Sequence, residues 1–75
     1  MLQVDLREGR YEIVQHVTDE CSAFGEIRSI RIFLESSPTA VVEMSTMEQT
    51  EQVAARLAGR VVGSTAFIEL AQTPR

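Results

Sequence analysis

The chain has 75 residues, 44% hydrophobic and 24% charged, which is typical of one small globular domain and unlike a disordered segment. Eleven acidic residues outnumber seven arginines, there is no lysine, and the net charge is −4. The single cysteine, Cys21, excludes an intramolecular disulfide framework and a cysteine-rich metal site, which favours an intracellular compartment, cytoplasmic or nuclear. We expect neither a membrane span nor a secretory leader, because no long apolar run and no leader pattern occurs.

The first half of the chain predicts a strand, a helix and a second strand. Residues 2–6 alternate apolar and polar side chains, as a half-buried strand does. Residues 10–23 repeat apolar side chains at spacings of three and four, which predicts an amphipathic helix that ends at Gly25. β-branched residues are frequent in 26–34, where we expect a second strand with an irregularity near Arg28.

The second half predicts a hairpin partner and another helix. Residues 39–44 alternate as a strand, and the turn before them is so short that they pair with the preceding strand as an antiparallel hairpin. Ser45 and Glu48 have the spacing of a capping box, in which the serine caps an early amide and the glutamate reaches back. The helix that follows is predicted to continue to Ala58 and to stop at Gly59.

A short extended piece at 61–63 precedes the last predicted strand, 65–70, and 72–75 is predicted to be a frayed tail.

The order strand, helix, strand, strand, helix, strand predicts an α+β domain of the ferredoxin-like, split βαβ class that spans residues 1–75. In that plan two helices cover one face of a four-stranded antiparallel sheet in the order 4-1-3-2. The other face of the sheet is left open and is the natural place for a ligand.

Strand alternation assigns side chains to that open face. The residues predicted to face outward are Gln3, Arg31, Phe33, Thr39, Val41, Glu43, Phe67 and Glu69.

Three segments resemble the RNA recognition motif family. Residues 23–32 are similar to the helix-to-strand junction of these domains, and 39–44 with 57–63 are similar to their second half. The resemblance covers nearly the whole chain. It implies the ferredoxin-like fold and single-stranded RNA as a ligand of the open sheet face.

The stacking residues of the family are missing from this sequence. Gln3 stands where the first-strand motif has an aromatic residue, and Thr39 and Val41 stand at the two aromatic positions of the third-strand motif. Base stacking on an aromatic side chain contributes about 1–3 kcal/mol per base, so RNA binding is predicted to be weak or atypical. The predicted contacts for RNA or another partner are Gln3, Arg31, Phe33, Thr39, Val41 and Phe67, with Phe33 and Phe67 as displaced stacking residues.

A protein partner is the alternative. Some splicing-factor variants of the family bind a tryptophan-bearing peptide through an acidic first helix and an Arg-x-Phe motif, and here Val62 stands in place of the phenylalanine. The residues of this alternative site are Glu12, Asp19, Glu20, Arg60 and Val62. A third alternative is a small-ligand regulatory domain of the same fold, suggested by the glycine-bearing connector 7–9.

Catalysis is not predicted. His16 lies at helical spacing from Glu12 and Glu20, which is typical of a solvated surface histidine, and Cys21 belongs to the apolar stripe of its helix. No catalytic triad, phosphate loop or metal-ligand spacing occurs, so we expect a binding domain with neither enzyme activity nor a cofactor.

Overall fold

The computed structural model describes residues 1–73, which form two helices and five strands of the predicted α+β class. The elements in chain order are β1 (Leu2–Val4), α1 (Arg10–Cys21), β2 (Ile27–Phe33), β3 (Thr39–Met44), α2 (Met47–Leu57), β4 (Arg60–Val62) and β5 (Thr65–Gln72). A single 3-10 turn, Ser22–Phe24, joins α1 to β2, and Gly25 after it has the positive φ of 146° that favours glycine.

The strands form one mixed sheet in the order β1-β5-β3-β2, in which β4 also pairs with β5. The structure therefore lacks the predicted four-stranded, all-antiparallel arrangement with order 4-1-3-2. Instead β1 lies at an edge and is parallel to β5, which is central. The reason is length and burial: β5 has eight residues and buries Ala66, Ile68 and Leu70, whereas β1 has three residues and pairs only with the end of β5.

Both helices pack on the same face of the sheet, where the hydrophobic core lies. Helix α1 contributes Ile13, Val17 and Cys21, so the predicted core position of the cysteine is confirmed. The sheet residues of this core are Leu2, Val4, Ile32, Ala40, Val42, Met44, Ala66, Ile68 and Leu70, and those of α2 are Val53, Ala54 and Leu57. The opposite face of the sheet is left uncovered by the described residues.

Strand β2 lies at an edge of the sheet and carries a β-bulge and a side-chain contact from α1. The register shifts between Ile27 and Ser29, so the irregularity predicted near Arg28 is a β-bulge. The guanidinium of Arg10 in α1 donates to the carbonyl oxygen of Ile32 and so covers part of the free edge of this strand.

Helix α2 begins one residue later than the capping box predicts. Thr46 is the N-cap, and its side-chain oxygen accepts from the backbone N–H of Gln49 at 3.1 Å. Ser45 is still bonded to the residue before β2, because its N–H and its hydroxyl both donate to the carbonyl oxygen of Glu26, at 2.9 and 3.1 Å.

The C-terminal segment is more ordered than predicted. Strand β5 continues through Gln72, and the N–H of Thr73 donates to the carbonyl oxygen of Val4 at 2.8 Å. The rest of the predicted tail, 74–75, lies outside the described residues. Neither α1 nor α2, the helices found within residues 1–73, is long and apolar enough to cross a membrane.

Candidate functional site

The uncovered side of the sheet, which we call the open face, carries one row of side chains across four strands. Arg31 of β2 is paired with Val41 of β3, Val41 with Phe67 of β5, and Phe67 with Arg60 of β4. Residues directly opposite each other in an antiparallel pair project to the same side, so these side chains form a continuous line. Its centre is apolar and half-buried, and both of its ends are exposed arginines.

Two further rows lie on either side of this line. The first pairs Glu43 with Thr65, and also places Ser29 and Val62 beside them. The second is formed by Phe33, Thr39 and Glu69. Phe33 and Val62 are 52% and 63% exposed, although both are apolar, and they lie at diagonally opposite corners of the face.

Phe67 separates two open depressions. The larger has a volume of about 470 Å³ and is lined by Ser37, Thr39, Ala58, Arg60, Phe67 and Glu69. The smaller, of about 280 Å³, is lined by Ser29, Arg31, Val41, Glu43, Thr65 and Phe67. Each depression therefore combines one arginine and one glutamate with the same aromatic ring.

The charges of the open face balance. Glu43 forms a long ion pair with Arg28, with 3.8 Å between Nη1 of Arg28 and Oε2 of Glu43. Because both side chains are partly exposed, this ion pair adds little to the stability of the fold. Arg31 and Arg60 form no ion pair within the part of the chain that the structure describes. Arg31 and Arg60 thus face the solvent beside Glu43 and Glu69, and Arg28 adds one positive charge at the edge strand, so the surface has no large excess of either sign.

Gln3 projects to the open side of the sheet, as predicted, but it lies away from the other predicted contacts. It is exposed on β1 at the edge of the sheet, where it is paired with Ala71. Ala71 follows Phe67 by four residues along β5, which is about 13 Å. The placement of Gln3 on a central strand, which the family resemblance implies, is therefore wrong for this structure.

The two parts of the predicted alternative site lie apart. Helix α1, which carries Glu12, Asp19 and Glu20, packs beneath β2 on the covered face. Arg60 and Val62 lie on β4, beyond β5 and near the opposite edge of the sheet. An acidic helix and this arginine therefore do not form one site.

Cys21 and His16 are residue types that often act as a nucleophile or a base, but neither belongs to a metal-binding cluster among the described residues. Burial raises the pKa of the Cys21 thiol to about 11, with a further contribution from Glu20, so the sulfur is a neutral thiol in the core. His16 is exposed on α1. Among residues 1–73, no three histidine, cysteine, aspartate or glutamate side chains lie close enough together to hold a metal ion.

The contribution of β4 to the open face is not among the predicted features. The signal was present: the pair Gly63-Ser64 separates the β-branched residues Val61 and Val62 from Thr65, which is the pattern of a two-residue hairpin. Gly63 has the positive φ of 64° that such a turn requires. This hairpin brings Arg60 opposite Phe67.

Comparison with protein-family models, with curated protein sequences and with solved structures found no match to this chain.

Proposed function

We propose that this domain is a protein-interaction module that binds its partner through the open face. The observation that carries the proposal is the apolar centre formed by Val41 and Phe67, with a balanced ring of charged and hydroxyl side chains around it. Protein interfaces have this anatomy: a small apolar centre that loses water on binding, and a polar rim that aligns the partner. Phe33 and Val62 add exposed apolar area at two corners.

The balance of charge favours a protein partner over a polyanion. Binding to nucleic acid draws most of its strength from neutralising phosphates with an excess of basic groups. The open face pairs Arg31 and Arg60 with Glu43 and Glu69, and the whole chain carries a net charge of −4. An interface between proteins uses both signs of charge at its rim and needs no excess.

Weak binding of single-stranded RNA is the second candidate, and the resemblance to the RNA recognition motif family also supports it. The specific observation in its favour is that Phe67 lies between Arg31 and Arg60 in one row. In this proposal the ring stacks on a base and the two arginines contact the flanking phosphates. Phe33, Thr39 and Val41 contact the neighbouring nucleotides.

Photo-crosslinking in cells tests both candidates. A photoreactive amino acid is introduced in place of Val62, which is exposed on the open face, and in a control in place of Gln52, which is exposed on α2. We expect protein-sized adducts from position 62 that resist ribonuclease and are at least tenfold more abundant than those from position 52. Adding Phe67→Ser should abolish them, while Tyr11→Ser on α1 should not.

The alternatives give different results. Adducts from position 62 that disappear with ribonuclease would favour RNA over a protein partner. Binding of short RNAs to the purified domain should then weaken steeply as salt rises, because phosphate contacts release counterions. Equal adducts from both positions, or none from position 62, would contradict a binding role for the open face.

A further inference from the structure

The open face repeats itself after a half-turn about an axis that passes between Val41 and Phe67, perpendicular to the sheet. The strand register defines the equivalent positions, since β3 and β5 are antiparallel neighbours, β2 flanks β3, and β4 flanks β5 over Thr65–Phe67. Strand β1 pairs only with the far end of β5, at 70–72, and lies outside this repeat. The equivalent pairs are Val41 and Phe67, Arg31 and Arg60, Glu43 and Glu69, Thr39 and Thr65, and Phe33 and Val62. Each of these five pairs joins residues of like chemistry, and Ser29 of β2 has no counterpart on β4.

The four charges lie at the same distance from that axis. With about 4.8 Å between strands, Arg31 and Arg60 are about 7 Å from it, because each is one and a half strands away. Glu43 and Glu69 are half a strand away across the sheet and two residues along it, which is again about 7 Å. Arginine and glutamate therefore alternate around a circle with the apolar pair at its centre.

Such a pattern is complementary to itself. When two copies meet face to face about a twofold axis, one orientation places Arg31 over Glu43 of the second copy and Arg60 over Glu69 of the second copy. Symmetry doubles these to four contacts between opposite charges. In the same orientation the two apolar centres meet, and Phe33 lies near Val62 of the second copy. The strands of the two sheets then cross at about 70°, near the orthogonal class of sheet packing.

We propose that a second copy of this chain occupies the open face. This inference rests on the proposed function and names its partner. The rest of the surface supports it, because acidic side chains are concentrated on the helix side of the molecule and oppose self-association there. Those residues are Glu12, Asp19, Glu20, Glu48 and Glu51, and the same two helices carry Arg10 and Arg56. The four charges around the apolar centre of the open face sum to zero.

The dimer is expected to be weak. Four strands span only about 14 Å between the outer two, and stable interfaces bury about 800 Å² on each partner. We therefore expect a monomer at low micromolar concentration that becomes a dimer toward millimolar concentration.

Reciprocal charge reversal tests the inference by sedimentation velocity across that concentration range. The acidic-face variant combines Arg31→Glu with Arg60→Glu, and the basic-face variant combines Glu43→Arg with Glu69→Arg. Each alone should raise the dimer dissociation constant at least about tenfold, since four attractive contacts become repulsive. An equimolar mixture of the two should restore a dimer, because each arginine again faces a glutamate.

The matched control for the basic-face variant is Glu48→Arg with Glu51→Arg on α2, which changes the net charge equally and should dimerise at least as well as the wild type. Far-UV circular dichroism confirms that each variant folds. If charge reversal unfolds a variant, Arg31→Gln with Arg60→Gln replaces it and should weaken the dimer.

A wild-type chain that stays monomeric up to millimolar concentration would overturn the inference, as would a mixture that fails to restore the dimer. A monomeric chain whose position 62 still crosslinks to a different protein would leave the proposed function standing. A monomeric chain without such adducts would contradict both the dimer and the proposed function.

Discussion

The α-carbon of Gly59 lies so close to Phe67 that an added β-carbon would be 2.7 Å from the carbonyl oxygen of Phe67. The residue that follows helix α2 thus packs against the backbone of the central aromatic residue of the open face. The same glycine closes the helix, since its N–H donates to the carbonyl oxygen of Ala54 at 2.8 Å. The end of α2 and the candidate site are therefore coupled through one backbone contact.

We expect Gly59→Ala to destabilise the domain by about 1–3 kcal/mol, because the backbone of β5 cannot move away without breaking its pairing with β3. Urea denaturation followed by circular dichroism measures the change. The amide resonances of Arg60 and Phe67 should shift more than those of α1. An unchanged denaturation midpoint would show that the contact can relax freely.

Ala58 is predicted to be a site where glycine stabilises the fold. It adopts the left-handed conformation, with φ 56° and ψ 40°, so the glycine predicted to end α2 lies one residue beyond the strained position. Ala58→Gly should raise the free energy of unfolding by about 1 kcal/mol, since the left-handed region costs an L-residue about 1–2 kcal/mol. The matched control is Ala55→Gly, an exposed position inside α2, which should lower stability by about 0.5–1 kcal/mol. Thermal melts of the two variants that shift in the same direction would contradict the prediction.

Thr50 is the one fully buried polar side chain in the core that the structure describes. Its hydroxyl accepts from the N–H of Met44 at 3.3 Å and lies 3.1 Å from the carbonyl oxygens of both Thr46 and Ser64. Thr50→Val keeps the shape and removes the hydroxyl, so it should cost about 1–3 kcal/mol by leaving buried backbone groups unpaired.

Thr18→Val is the matched control for this change. Among residues 1–73 the partly exposed Thr18 hydroxyl donates to the carbonyl oxygen of Val14 in its own helix and to no other group. Chemical denaturation should show the larger loss for Thr50→Val. Equal losses would mean that the bond to Ser64 contributes nothing beyond a local helix contact.

The carboxylate of Asp5 accepts hydrogen bonds from the Arg7 side chain, from the Arg7 N–H and from the Gln72 side chain. These bonds, the one from the Arg7 side chain most of all, lower the pKa of Asp5 from 3.8 to about 2. The folded state therefore holds the charged form more strongly than the unfolded state does. This contribution to stability is present above about pH 4 and is lost as the pH falls toward 2. Asp5→Asn should lower stability at neutral pH and flatten the acid limb of the stability profile, measured by urea midpoints at successive pH values. A parallel profile for the variant would rule out the linkage.

Local pattern determined much of this structure. The third strand was predicted at 39–44 and is found there, and both helices lie within the predicted ranges. Alternation was enough to place Arg31, Phe33 and Phe67 on the same side of a sheet. The physical reason is that the twofold period of a strand decides which way a side chain points, whatever strand lies next to it.

Which strands are neighbours depends on long-range packing. Pairing of β1 with β5 joins residues almost seventy positions apart, such as Leu2 and Leu70, and no local periodicity specifies such a contact. The exchange of an expected central strand for β5 moved Gln3 to the edge and Phe67 to the centre of the open face. Strand order follows from which long segments bury the most apolar surface together, and that competition is settled only when the whole core assembles.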